Sequence, residues 1–306
     1  MNTRLSMLMI IAGVQLLIVA ALLLASTSST SDGPEPFLSF EPESIDRVML
    51  DNGDGGELTL ARSNDGWALA SGMPADDEKM TGVLSKLHEL KRSWPVATSS
   101  AIQNRFEVGD DKHQRHVQLY ASEDLQADFY LGTSPGYRRV HAREIDSGDI
   151  FSIDFSNYEI PTTVDEWLDK TLLGASGEVT EVAREDSWRL NKGEEGWLLD
   201  DVTADQDAAD RLVRRFADLR IMGVLVDEDG GATTAEGVEL RATFQVFDTD
   251  GQQTLEIYYR TEEDDYLVQG DRVVGTFTLA TYIAEQMVID REELIPEVEE
   301  STPDSS

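Results

Sequence analysis

The sequence predicts an α+β fold: two tandem repeats of an antiparallel sheet with one packed amphipathic helix each, preceded by a single transmembrane helix. Three observations carry this expectation. They are an uncharged apolar run near the N-terminus, matching segments 130 residues apart, and helical apolar periodicity at the same place in both.

Leu5 to Ala25 carries no charge, with Arg4 before it and a Ser/Thr run after it. A helix of about 20 residues, rising 1.5 Å per residue, spans a hydrocarbon core of about 30 Å. Residues 1–25 are therefore expected to anchor the chain in lipid. Arg4 and the α-amino group lie on one side, and Asp32, Glu35, Glu41 and Glu43 follow on the other. The positive-inside rule then places the N-terminus in the cytoplasm. The expectation is a single-pass protein of the inner (cytoplasmic) membrane with its bulk in the periplasm or extracytoplasmic space. A cleaved signal peptide competes, with Ala25-Ser-Thr27 as a place to cut. Its apolar region normally has about 7 to 15 residues, shorter than this run, and the mass of the mature N-terminus separates the two.

Residues 26–43, with Asp32-Gly-Pro-Glu-Pro36, read as a solvated linker, and residues 291–306 as an acidic disordered tail. Between them the chain divides into a first repeat, 44–174, and a second, 175–290. Leu58-Thr-Leu60 through Gly66-Trp67-Ala-Leu69 matches Trp188-Arg-Leu190 through Gly196-Trp197-Leu-Leu199. Ala75-Asp76 then matches Ala204-Asp205. Val83, Leu84, Leu87 and Leu90 fall on Leu212, Val213, Phe216 and Leu219. These positions recur at i, i+1, i+4 and i+7 and line one helix face, while Lys86, Glu89, Arg214 and Asp218 take the other. Asp76 and Asp205 suit the helix starts, where a carboxylate accepts backbone N–H bonds.

Before each helix, turn signals break short strands. Asp51-Asn-Gly53 and Gly55-Gly56 interrupt Val48 to Leu60, and Asn64-Asp-Gly66 separates Leu60 from Trp67. After each helix, alternation returns: Val117 and Leu119, then Ala127, Phe129 and Leu131, and in the second half Phe244 and Val246, then Leu255, Ile257 and Tyr259. Each unit is thus meander, helix, meander. Residues 162–173 read as a short connecting helix, and Trp67 and Trp197 as core residues packed against the helices.

With 25 basic against 60 acidic residues the net charge is −35, which repels phosphate backbones and excludes nucleic acid as a natural partner. The excess is not confined to a tail: residues 44–174 carry 13 basic and 23 acidic side chains, and 175–290 carry 10 and 27. Such a surface is easiest to keep compact where salt screens it. There is no cysteine, so disulfides and thiolate chemistry are excluded.

No phosphate loop, dinucleotide fingerprint or nucleophile elbow is present, and no cofactor or catalytic residue is implied. Of the histidines at 88, 113, 116 and 141, His113 and His116 are three apart, which on a strand points them to opposite faces. Zinc wants three or four convergent ligands, so surface histidines are the reading. Asp51-Asn-Gly-Asp-Gly, Asp227-Glu-Asp-Gly and Asp248-Thr-Asp-Gly251 look superficially like calcium loops, but hairpin turns account for all three. The one basic cluster in this acidic field is Tyr137, Arg138, Arg139, His141 and Arg143, with His113, Arg115 and His116 upstream. Paired strands would gather it into a spot for a carboxylate-bearing partner. Internal pairing with the many carboxylates is the competing account.

The strand leading to Gly66-Trp67, the Ala75-Asp76 helix entry, Leu131-Gly-Thr-Ser134, Trp167-Leu-Asp-Lys170, the anchor and the repetition resemble the bacterial domain-of-unknown-function 4340 family over roughly residues 44–290. The resemblance implies an envelope protein accessory to an ABC transporter or a gliding-motility-like complex, and carries no catalytic residues across. The second copy lacks a counterpart of Leu131-Gly-Thr133, and the acidity here is heavier than the family pattern. The expected function is a non-enzymatic, membrane-anchored extracytoplasmic binding or scaffold protein. The alternatives are an envelope hydrolase using carboxylates in a cleft between the repeats, and a sensor of ions or cell-wall fragments.

Overall fold

The computed structural model describes residues 34–225 and 237–296, together with Gln15. The expected anchor, apart from Gln15, lies outside these residues. Among the described residues no helix is long and apolar enough to cross a membrane.

The fold is α+β, mostly strand with few helices. Strand β1 (Glu35–Pro36) opens it, followed by β2 (Arg47–Asp51), β3 (Glu57–Ser63), β4 (Gly66–Leu69) and helix α1 (Asp77–Glu89). Strand β5 (Lys91–Arg92), helix α2 (Gln103–Phe106) and the small hairpin β6 (Val108–Gly109) and β7 (Lys112–His113) come next. Strands β8 (Arg115–Ala121), β9 (Asp124–Leu131), β10 (Val140–Glu144) and β11 (Phe151–Ile153) complete an antiparallel seven-stranded sheet, ordered β11-β10-β9-β8-β2-β3-β4. Helix α1 starts where Asp76 accepts the Lys79 N–H at 2.9 Å, and it buries Met80, Val83, Leu84 and Leu87. That is the face the apolar spacing predicts.

A short helix, α3 (Val164–Trp167), leads to β12 (Val179–Arg184), β13 (Trp188–Gly193), β14 (Gly196–Leu199), β15 (Val202–Thr203) and helix α4 (Gln206–Ala217). Then come β16 (Gly223–Val224), β17 (Val238–Asp248), β18 (Gly251–Arg260), β19 (Asp265–Gly270), β20 (Phe277–Leu279) and helix α5 (Thr281–Met287). The second sheet has nine strands, ordered β15-β14-β13-β12-β17-β18-β19-β20-β16. Asp205 caps α4 by accepting the Ala208 N–H at 2.8 Å. Trp67 and Trp197 are both buried, and their backbone N–H groups donate to Asp77 and Gln206 at the start of the adjoining helix.

The linker and tail expectations need correction at their inner ends. Residues 34–43 are not a solvated spacer: β1 pairs with β5, and Phe37, Leu38 and Phe40 are buried, Phe37 packing edge-on against Phe129 and Phe151. Three large apolar side chains outweigh the proline-rich composition that suggested disorder. At the other end, Arg291–Leu294 forms a 3-10 turn closed by a capping box at Asp290 and Glu293. Leu294 is fully buried there, and its carbonyl accepts the Asp205 N–H.

The connecting helix is also shorter than expected, four residues in place of most of 162–173. The segment instead works as a joint. Trp167 is fully buried and its indole N–H donates to the Pro161 carbonyl at 2.6 Å, while its own carbonyl accepts the Asp76 N–H. On the far side, Asp165 accepts the Val224 N–H at 3.0 Å, Lys170 donates to the Met222 carbonyl and Gln253 donates to the Leu173 carbonyl at 2.9 Å. One continuous apolar core therefore runs from Phe37 to Leu294 through both sheets.

Candidate functional site

Gly132 sits under the chain that crosses the outer side of the first sheet, where a Cβ would collide with the Phe106 and Glu107 carbonyls. Thr133 donates its N–H to the Phe106 carbonyl at 2.8 Å, and the Ser134 hydroxyl bonds the Gly136 and Arg139 carbonyls at 2.8 and 2.6 Å. Leu131-Gly-Thr-Ser134 thus fastens the crossing segment and closes the loop that carries the basic cluster.

The cluster divides. Tyr137 is 88% exposed and Arg138, in the left-handed region at φ 53°, lies over its ring at 5.6 Å. Arg139 is exposed but tied to Ser152, donating through Nε to the hydroxyl at 2.9 Å. His141 and Arg143 are buried, at 8% and 3% exposure. His141 shares a 2.9 Å hydrogen bond with the Thr133 hydroxyl and packs its ring 4.4 Å from Phe106. Burial lowers its pKa from the ordinary histidine value, although a hydrogen bond to the Thr133 backbone works the other way.

Arg143 donates to the Val108, Ile145 and Ser147 carbonyls at 2.7, 2.9 and 3.3 Å and pairs with Asp110. These two residues therefore do not join a surface spot. The 97–113 segment covers the outer face of β9 and β10, burying side chains that alternation alone assigns to solvent. Upstream, Arg115 turns to the Gln114 and Ile160 carbonyls.

His113 and His116 do not point to opposite faces. The strand breaks at Gln114 between β7 and β8, and the two rings lie 5.8 Å apart beside Tyr130. His116 stacks on Tyr130 at 4.4 Å and hydrogen-bonds Asp128 at 2.6 Å, while His113 contacts the Gly109 carbonyl at 3.2 Å. Burial, then Asp110 and Asp128, raise the Tyr130 pKa. Among the described residues no group of three or more His, Cys, Asp or Glu is arranged to hold a metal.

Two of the three calcium-like loops are seen as turns. Gly53 at φ 75° donates to Asp51, and Asp248 accepts the Asp250 N–H across the β17–β18 turn. Asp227 lies outside the described residues. Among the described residues, surface cavities of about 250, 330 and 420 Å³ are each lined from one sheet's side of the molecule. The second holds Asp128 and Glu144, but these are engaged by His116 and Arg92.

A pair of antiparallel sheets, each carrying its helix and joined through a buried tryptophan segment, defines the class: an α+β protein whose recurring motifs are structural joints. Residues 67–242, more than half of the chain, match the model of the family described as "Domain of unknown function (DUF4340)", and the chain belongs to that family. No curated protein and no solved structure gives a match.

Proposed function

We propose that this chain is a membrane-anchored, extracytoplasmic binding or scaffold protein, in which two copies of one unit form a rigid platform for a partner complex. The observation that carries the reading is the joint at 161–174, whose backbone and side chains are bonded to both sheets. A platform needs its two halves held in fixed relation, and a continuous core does this more firmly than a linker.

Support for the two-copy reading comes from strand order. Reading inward from β4 and from β14, each sheet runs through a three-stranded meander and then through a second meander that begins beside β2 or β12. In each case the helix falls between the two meanders in sequence. Support for the anchor comes from the uncharged run Leu5–Ala25. Family membership favours an ABC transporter or other envelope complex as the partner, with Tyr137 and Arg138 as the exposed contact residues. That step is an argument by association.

The test is crosslinking and co-purification of the full chain from detergent-solubilised membranes. Recovery with transporter subunits supports the reading, and recovery of the chain alone after crosslinking overturns it.

A further inference from the structure

Trp94 is the one tryptophan of the five that faces outward. It is 92% exposed, whereas Trp67, Trp167, Trp188 and Trp197 are at most 6% exposed. It sits in Ser93-Trp94-Pro95-Val96, with Val96 49% exposed. From Ser93 to Asn104 no side chain is charged, in a protein where 28% of residues are. Beyond the N-terminal segment, the other uncharged run of that length, Val273–Ala284, supplies β20 and most of α5, whereas this one is surface loop for most of its course.

The loop stands where the chain enters the fold. Strands β1 and β5 pair antiparallel, Glu35 opposite Arg92 and Pro36 opposite Lys91. Followed backward from Glu35, the chain therefore heads toward Ser93 and Trp94. From the end of the apolar run at Ala25, residues 26–34 reach at most roughly 30 Å at 3.3–3.6 Å each. Arg92 is neutralised by Glu35 and Glu144, at 3.6 and 2.9 Å. The nearest acidic side chains in sequence on the facing segment, Asp146 and Asp149, lie across the bridge between Ala97 and Ile150.

We infer that the Trp94–Val96 loop inserts into the headgroup region of the membrane beside the anchor and so fixes the platform's orientation on the lipid surface. This rests on the anchoring proposed above. An exposed indole next to proline and valine suits the interface, where an amphipathic ring sits at headgroup depth. A charge-free loop avoids the desolvation cost that the rest of this acidic surface would meet there.

The test is tryptophan fluorescence of the full chain reconstituted into phosphatidylcholine/phosphatidylethanolamine vesicles containing lipids brominated near the headgroup. Wild-type emission should be quenched. Trp94→Phe should lose most of that quenching and Val96→Asp at least half, with flotation on vesicles unchanged in both. Failure of the wild type to float overturns the anchoring reading and this inference together. Flotation with equal quenching of wild type and Trp94→Phe overturns this inference alone. Trp94 shielded from iodide in native membranes but unquenched in vesicles points to a protein partner and also overturns it.

Discussion

The guanidinium carbon of Arg143 lies 4.8 Å from the centre of the Tyr130 ring, and the same group ties Asp110 and three backbone carbonyls to the sheet. Arg143 is thus the rivet between the 97–113 segment and β10. Arg143→Ala leaves those carbonyls without their donor and should cost about 3 kcal/mol of stability, measured by urea denaturation. Tyr137→Ala and Arg138→Ala, on the exposed loop, should stay within about 0.5 kcal/mol of wild type.

Trp197 donates its indole N–H to Asp210 at 2.9 Å, whereas the Trp67 indole N–H is buried without an acceptor. Both substitutions to Phe lose ring volume, but only Trp197→Phe breaks a hydrogen bond. Trp197→Phe should therefore be the more destabilising by about 1–2 kcal/mol, read from paired denaturation curves.

Burial acts to raise the Asp248 pKa, but the N–H groups of Asp250 and Ser176 and the Arg272 guanidinium outweigh it and leave the carboxyl below its ordinary value of 3.8. A carboxyl depressed on folding contributes stability that is fully present above its unfolded pKa and is lost as pH falls through the folded one. Asp248→Asn should cost about 2 kcal/mol at pH 7. The gap to wild type should begin to narrow as pH falls below about 4, in melting curves taken from pH 6 to pH 2.5.

With a net charge of −35, self-repulsion opposes the compact state, and raising salt from 0.1 to 1 M shortens the Debye length from about 10 to 3 Å. The melting temperature should rise by several degrees with sodium chloride at pH 7. A flat or falling midpoint would remove charge repulsion as a determinant of stability.

Helices α1 and α4 were legible in the sequence because their apolar positions repeat with the helical period and each begins at an aspartate. Val83, Leu84 and Leu87 and their counterparts Leu212 and Phe216 are core residues. The first three strands of the first sheet were legible from Asn-Gly, Asp-Gly and Gly-Gly turns, and β13 and β14 from their match to β3 and β4, whereas β12 had no such signal. Strand β10 was not, because Val140, His141, Ala142 and Arg143 are all buried. Both of its faces are covered there, and alternation carries no signal. The convergence of His113 and His116 on Tyr130 was hidden for a local reason, a break at Gln114 that resets the strand's two-residue rhythm. Phe37 and Phe40 were masked by the prolines and glutamates around them.

The buried joint around Trp167 and Leu173 has a consequence for how such a chain can be made or divided. Neither half possesses a finished boundary, so a cut after Gly174 would bare an oily seam on both products. The two sheets are then expected to melt together in a single transition rather than as separable halves.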